Sequence, residues 1–142
     1  MADPLDTILN RLSTGDLDPE QARKAIHELR AQSLGFATID HDRRRRCGFA
    51  EVVYGAGKSP AQLVDIARAL LADHEQLLVT RVSEEGARAV LDALPAVEHH
   101  PGSRCLTAGL PPEGAGEGLV LVVCAGTSDL PVAEEAALTA RM

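Results

Sequence analysis

The feature that most constrains the fold is the segment LVLVVCAGTSDLPVAEEA, residues 119–136. Its first five residues are apolar and largely β-branched, without alternation, which is typical of a strand buried on both faces of a parallel sheet. Gly126 then ends the strand, and Ser128 or Asp129 can cap a helix that has Pro131 in its first turn. The segment therefore predicts a strand, a polar turn and a helix, whose free N–H groups suit a phosphate or a carboxylate.

The first 110 residues alternate predicted helices and strands. A helical hairpin is expected first, from the apolar spacing of residues 5–12 and 22–29. Strands are predicted at 36–40, 49–54 and 76–82, helices after Ser59 and Ser83, and a looser extended stretch at 97–110. These patterns predict an α/β fold: a small N-terminal domain over residues 1–110, a Gly/Pro linker over 111–118, and at 119–142 the first strand and helix of a doubly wound parallel sheet, cut short.

Charge and composition narrow the classes of function. The net charge of −7 argues against a nucleic-acid or membrane-surface protein, since either would need a basic face. The sequence has no tryptophan and only 2% aromatic residues, so we expect an aliphatic core. The N-terminus has no signal-peptide pattern, and three cysteines without framework spacing fit free thiols. We therefore expect a cytoplasmic protein.

Four cationic residues are candidates for binding an anion. Lys58 lies in a glycine-rich turn before a predicted helix, although Val52 stands where a Walker-type loop needs glycine. In the run of four arginines at 43–46, Arg43 and Arg46 could contact an anion or a subunit; the alternative is a solvated run paired with nearby carboxylates. Arg81 follows a predicted strand and precedes a helix, and a lone anion contact is possible there too.

Histidine and cysteine suggest less. His99, His100 and Cys105 could bind zinc, but their spacing matches no closed site and a fourth ligand is missing, so surface histidines are expected instead. Cys124 lies just before the polar turn, and no histidine close in sequence could activate it. We expect Cys124 to be a buried structural residue of the strand, and predict no metal site.

Two sets of residues together resemble one known family. The stretch from Asp40 to Pro60, DHDRRRRCGFAEVVYGAGKSP, followed by Thr80-Arg81-Val82, resembles the N-terminal domain of the LarB family of nickel-pincer cofactor biosynthesis. The stretch from Val122 to Ala136 resembles the opening of the LarB C-terminal domain. That domain is similar to the aminoimidazole ribonucleotide carboxylase/mutase of purine synthesis, in which a Gly-Ser-x-Ser-Asp turn contacts the substrate.

The resemblance implies a reaction. The pyridinium ring of nicotinic acid adenine dinucleotide would be carboxylated with CO2 or bicarbonate, and its phosphoanhydride hydrolysed to release AMP. Magnesium would assist this hydrolysis, no cofactor would be tightly bound, and the full-length form would be a homo-oligomer. A cysteine thiolate would add to the ring, which is covalent catalysis. The residues that match the substrate-contacting turn are Gly126, Thr127, Ser128 and Asp129.

The chain also departs from the family pattern. Cys124 does not match the nucleophilic cysteine, which we expect beyond Met142 together with most of the carboxylase-like domain. No catalytic residue is therefore predicted in this chain, and we expect the fragment to be inactive alone. Two alternatives stay open: an aminoimidazole ribonucleotide carboxylase, and a non-catalytic module that binds a nucleotide or a subunit.

Overall fold

The chain forms two units of mixed α/β structure. The computed structural model describes residues 4–29, 31–41, 43–111 and 118–142, and only the backbone at positions 27, 45 and 46. One unit is Met1–Phe49 and the other is Ala50–Met142. The predicted α/β class is confirmed. The linker predicted at 111–118 falls almost wholly on 112–117, outside the described residues, so the predicted domain limits stay a prediction.

The first unit opens with the expected helical hairpin. Helix α1 is Pro4–Ser13 and helix α2 is Pro19–Leu29. Helix α2 starts at a reciprocal cap, because Gln21 N donates to Asp18 Oδ1 at 2.8 Å and Asp18 N donates to Gln21 Oε1 at 3.0 Å. Ile8 and Ala22 are the buried apolar side chains of the two helices.

Three short elements complete the first unit. Strand β1 (Ala31–Ser33) pairs antiparallel with strand β2 (Thr38–Asp40), and helix α3 (Arg43–Cys47) follows. The sequence predicted β2 as a strand from residue 36, but missed both β1 and α3. Three residues are too few to show a period, and a run of arginines has no apolar face, although arginine is a good helix former.

The second unit is a four-stranded sheet with helices on both faces. Its strands lie in the order β3-β4-β6-β5; β3 and β4 are parallel and the other pairs are antiparallel. The loose stretch predicted at 97–110 is thus a hairpin, β5 and β6. The elements are β3 Val52–Tyr54, α4 Pro60–Asp73, β4 Leu77–Thr80, α5 Glu84–Ala93, β5 Glu98–His100, β6 Cys105–Ala108, a 3₁₀ turn Thr127–Asp129 and α6 Leu130–Arg141.

One face of this sheet carries most of the core. Successive strand residues point to opposite faces, and Leu77, Val79 and Leu106 share one face by register. All three are at most 1% exposed, beneath α4 and α5. The core is aliphatic, as the scarcity of aromatic residues predicted.

Helix α6 covers part of the opposite face. Its Leu138 packs against Leu78 and Cys105 and is the buried side chain of the helix. By register, Val52 and Tyr54 lie on the same face as Leu78 and are 38% and 62% exposed. This second face is therefore covered by α6 at its centre and open at its β3 edge.

The strand predicted at 119–123 does not form. Residues 119–124 have no strand hydrogen bonds, and Leu119, Val120, Leu121 and Val123 are 71–91% exposed. A strand needs a partner at a sheet edge, and no described strand pairs with this segment. Helix α6 packs on the sheet through Leu138 without a paired strand before it. No helix in the described part of the chain is long and apolar enough to cross a bilayer.

Candidate functional site

The candidate site is the edge of the second unit at which the parallel strands β3 and β4 end. Because the strands are parallel, the turns that follow Tyr54 and Thr80 lie at the same edge. Helices α4 and α5 both begin there, and their first N–H groups place partial positive charge at that edge. Lys58 and Arg81, two of the predicted anion-binding residues, lie in these two turns.

The first turn is held tightly to the neighbouring strand. Gly55 N donates to Thr80 O at 2.7 Å, and a Cβ on Gly55 would lie 2.8 Å from that same oxygen. Only glycine allows so close an approach of the two backbones. Gly57 has a φ of +77°, and Lys58 N donates to Gly55 O at 3.2 Å, so the turn is closed.

Helix α4 begins where the sequence predicted. Ser59 caps it and Pro60 occupies its first turn, and Ser59 Oγ accepts from Gln62 N at 3.3 Å while Ser59 N donates to Gln62 Oε1 at 2.9 Å. Lys58, half-exposed beside this cap, forms no ion pair with a described residue. A fixed turn thus presents an unpaired ammonium group at the start of a helix.

The second turn begins with a strained residue. Arg81 has a φ of 55°, a left-handed conformation that non-glycine residues seldom adopt. Its Nε donates to Glu135 Oε2 of α6 at 2.6 Å, and this hydrogen bond raises the pKa of Arg81 above its ordinary value. Reasoning from sequence found Arg81 but missed this partner, 54 residues away, for which the sequence carries no local signal.

Buried polar side chains lie next to Arg81 on the second face of the sheet, the face that α6 partly covers. Thr80 and Thr107 are 8% and 0% exposed, and His100 Nε2 lies 2.8 Å from Thr107 Oγ1. Burial raises the pKa of the Cys105 thiol, so Cys105 is a poor nucleophile at neutral pH. His99 and His100 point to opposite faces of the sheet. Among the described residues no three His, Cys, Asp or Glu side chains come together as metal ligands.

The turn from Gly126 to Asp129 is exposed and differs from its prediction. Thr127–Asp129 form a 3₁₀ turn, and Asp129, at the cap position of α6, makes no side-chain capping hydrogen bond. The prediction that Ser128 or Asp129 caps the helix with its side chain is therefore wrong. The helix itself starts at the expected place. Cys124, expected to be buried in a strand, is exposed because that strand is absent.

The remaining candidates lie in the first unit. Arg43 begins helix α3 and is exposed, while the side chain of Arg46 lies outside the described part of the structure. The structure thus brings Lys58 and Arg81 to one edge. The positions from Gly126 to Asp129 lie ahead of α6, whose Glu135 reaches the same edge.

The fold and the site together define an acidic α/β protein that has basic groups and helix N-termini at one edge of its sheet. Proteins of this class are suited to binding small anions. Comparison with known families gives the particular assignment. Residues 31–110 match the LarB/PurE-like N-terminal domain, and the chain belongs to that family. The carboxylase-like relationship is thereby shown. No curated protein matches the chain.

Proposed function

We propose that this chain is the substrate-anion-binding part of a LarB-type enzyme of nickel-pincer cofactor biosynthesis. The reaction is carboxylation of the pyridinium ring of nicotinic acid adenine dinucleotide, followed by hydrolysis of its phosphoanhydride. The observation that carries the proposal is the family match over residues 31–110. In the first step a ring carbon forms a bond to the carbon of CO2 and loses its proton; in the second, water adds to a phosphorus atom and AMP leaves.

The geometry of the sheet edge supports a role in binding this substrate. The dinucleotide carries two phosphates and a carboxylate, which need cationic and N–H donors. Lys58 and Arg81 supply cations, and the N-termini of α4 and α5 supply partial positive charge at the same edge. Glu135, a carboxylate already bound to Arg81, occupies the position of a ligand anion. A substrate phosphate or carboxylate would replace it.

Further contacts are proposed from the turn Gly126–Asp129. The hydroxyls of Thr127 and Ser128 are exposed and make no capping hydrogen bond, so they are available to a ligand. Arg43 and Arg46, in the first unit, are proposed to contact an anion or another subunit of a homo-oligomer. None of the three cysteines is assigned as the nucleophile.

Among the described residues, no group of three or more acidic, histidine or cysteine side chains could bind magnesium. Magnesium would enter with the phosphates of the substrate, which are ligands it prefers. CO2 would enter as a substrate, and the protein would act in the cytoplasm.

The binding proposal is tested on the 142-residue chain by calorimetric titration with nicotinic acid adenine dinucleotide. We expect Lys58→Met and Arg81→Met each to weaken binding about tenfold or more, because each removes a charge-assisted hydrogen bond. Lys24→Met is the matched control, since Lys24 is exposed on α2 and is the other lysine of the sequence. Equal affinity of all three variants would overturn the roles of Lys58 and Arg81.

The reaction is tested on the product of the complete open reading frame, supplied with the dinucleotide, bicarbonate and magnesium. Release of AMP together with a carboxylated pyridinium mononucleotide supports the proposal. The family description also covers enzymes related to the purine carboxylase. Consumption of aminoimidazole ribonucleotide in place of the dinucleotide would therefore assign the purine reaction.

A further inference from the structure

A second concave surface lies on the opposite side of the sheet from α6. Its walls are helix α5 and the turn that joins β5 to β6, and it encloses ≈ 590 Å³. That volume lies within the range of about 300–1,000 Å³ typical of small-molecule sites. The cavity shares the first turn of α5, at Ser83 and Glu84, with the edge described above, but none of the side chains assigned to the substrate lines it. The lining residues are Val82, Ser83, Glu84, Arg88, Leu91, His99, Pro101 and Arg104.

Helix α5 contributes one wall by its spacing. Glu84, Arg88 and Leu91 lie four and three residues apart, so they form one stripe along the helix. Ser83 caps this helix, its Oγ accepting from Gly86 N at 3.1 Å. The stripe thus runs from a carboxylate beside the cap, through a guanidinium, to an apolar side chain.

The opposite wall is held in place by the backbone. Val82 N donates to Arg104 O at 2.9 Å, and Arg104 N donates to Pro101 O at 3.3 Å, so the turn is fixed to the end of β4. Arg104 has a φ of 53°. Arginine seldom adopts this left-handed conformation, whereas glycine adopts it without steric cost. Such strain accumulates at functional positions.

The charges in the cavity are unbalanced. Neither Arg88 nor Arg104 forms an ion pair with any residue in the described part of the chain, even though Glu84 stands one helical turn from Arg88. Two free guanidinium groups therefore face one carboxylate in a protein whose net charge is −7. Guanidinium groups bind phosphate through paired N–H donors, and the apolar Val82 and Leu91 would contact an uncharged ligand body.

We infer that this cavity binds a small organic phosphate, a phosphomonoester of a sugar or nucleoside, through Arg88 and Arg104. The inference goes beyond the proposed reaction and does not depend on it, because Lys58 and Arg81 are not part of the cavity. A chain that binds the phosphomonoester but neither binds nor carboxylates the dinucleotide would refute the proposed function alone.

The test is calorimetric titration of the 142-residue chain with AMP, ribose 5-phosphate and inorganic phosphate. We expect AMP and ribose 5-phosphate to bind more tightly than inorganic phosphate, which cannot contact the apolar wall. Arg88→Gln and Arg104→Gln should each weaken AMP binding about tenfold, the effect of one lost charge-assisted hydrogen bond. Both side chains are exposed, so the variants should fold, which circular dichroism checks.

Arg68→Gln is the matched control. Arg68 is exposed on α4, forms no ion pair with a described residue and changes the net charge equally. Its variant should bind AMP like the parent chain. Absence of AMP binding at millimolar concentration, equal effects of all three substitutions, or inorganic phosphate binding as tightly as AMP would each overturn the inference.

Discussion

Two segments of this chain carry the same local signals and fold differently. Residues 52–60 and residues 122–131 both join an apolar run to a glycine-containing polar turn and a proline in the first turn of a helix. The first becomes strand β3, a capped turn and helix α4, which has five buried side chains. The second becomes an exposed extended segment, a 3₁₀ turn without a side-chain cap and helix α6, which has one buried side chain.

The difference shows what each signal can determine. The helix starts are local, since a proline and a polar residue act within one turn, and both helices begin where expected. A strand depends on a partner that its own sequence does not specify. Val52–Tyr54 pairs with β4, whereas no described strand pairs with residues 119–123, although β3 and β5 each have one unpaired edge. An apolar run therefore predicts a buried strand only where a partner strand pairs with it.

The largest effect should be seen in thiol reactivity. Cys124 is exposed because its segment is unpaired, whereas Cys105 is buried in β6 and its thiol pKa is raised by burial. We expect Cys124 to react with a maleimide at least on the order of a hundredfold faster than Cys105, which must await local opening. Mass spectrometry of timed, quenched reactions measures both rates. Protection of Cys124 to the level of Cys105 would mean that the strand predicted at 119–123 does form.

Replacing one leucine in α4 and one in α6 compares how much side-chain packing stabilises each helix. Leu63 of α4 is 1% exposed and lies against α5, and Leu138 of α6 is 7% exposed. We expect Leu63→Ala to lower the free energy of unfolding by about 3 kcal/mol and Leu138→Ala by about 1 kcal/mol, because a lightly held helix can relax into the space left. Chemical denaturation measures both. Equal losses would show that α6 is as firmly packed as α4.

Replacing one serine in the turn before α4 and one in the turn before α6 compares how much capping stabilises each helix start. Ser59→Ala removes the hydrogen bond from Gln62 N to Ser59 Oγ, which is one half of the reciprocal pair at this cap, so we expect a loss of about 1 kcal/mol in the free energy of unfolding. Ser128 accepts no capping hydrogen bond, so Ser128→Ala should leave the unfolding free energy unchanged. The same denaturation curves report both variants. A measurable loss in Ser128→Ala would mean that the second turn is capped after all.

The smallest effect concerns the ion pair between Arg81 and Glu135 of α6. Glu135→Gln removes the charge that pairs with Arg81, and we expect a small fall in thermal stability at low salt that disappears at high salt. Glu134→Gln changes the same charge on a neighbouring exposed carboxylate and should have no such effect. Differential scanning calorimetry at two salt concentrations makes the comparison. Identical melting curves for the two variants would show that the Arg81–Glu135 ion pair does not stabilise the packing of α6.

Sequence patterns recovered the parts of the fold that local chemistry determines. The caps at Ser59 and Ser83 and the apolar stripes gave the positions of α4 and α5. The order of the sheet was beyond such reasoning, since β6 lies between β4 and β5 although it follows both in sequence. Helix α3 was missed because its arginines show no period.

The candidate site was recovered in part for the same reason. Lys58 was found because its turn has a glycine-rich pattern ahead of a helix, and Arg81 because it follows a strand. The partner of Arg81 on α6 was missed, since pairing across 54 residues depends on how the helix docks. Arg88 and Arg104 have no motif, and only the approach of α5 to the β5–β6 turn brings them to one cavity.

The exposure of Tyr54 has a practical consequence for optical spectroscopy. Tyr54 is the single tyrosine of a chain without tryptophan, so almost all its intrinsic fluorescence and near-ultraviolet absorbance come from one ring. That ring is 62% exposed at the end of β3, where Tyr54 pairs with Thr80, the residue before Arg81. Emission of the unlabelled protein should therefore report directly on events at this edge, while the cavity beside α5 stays spectroscopically silent.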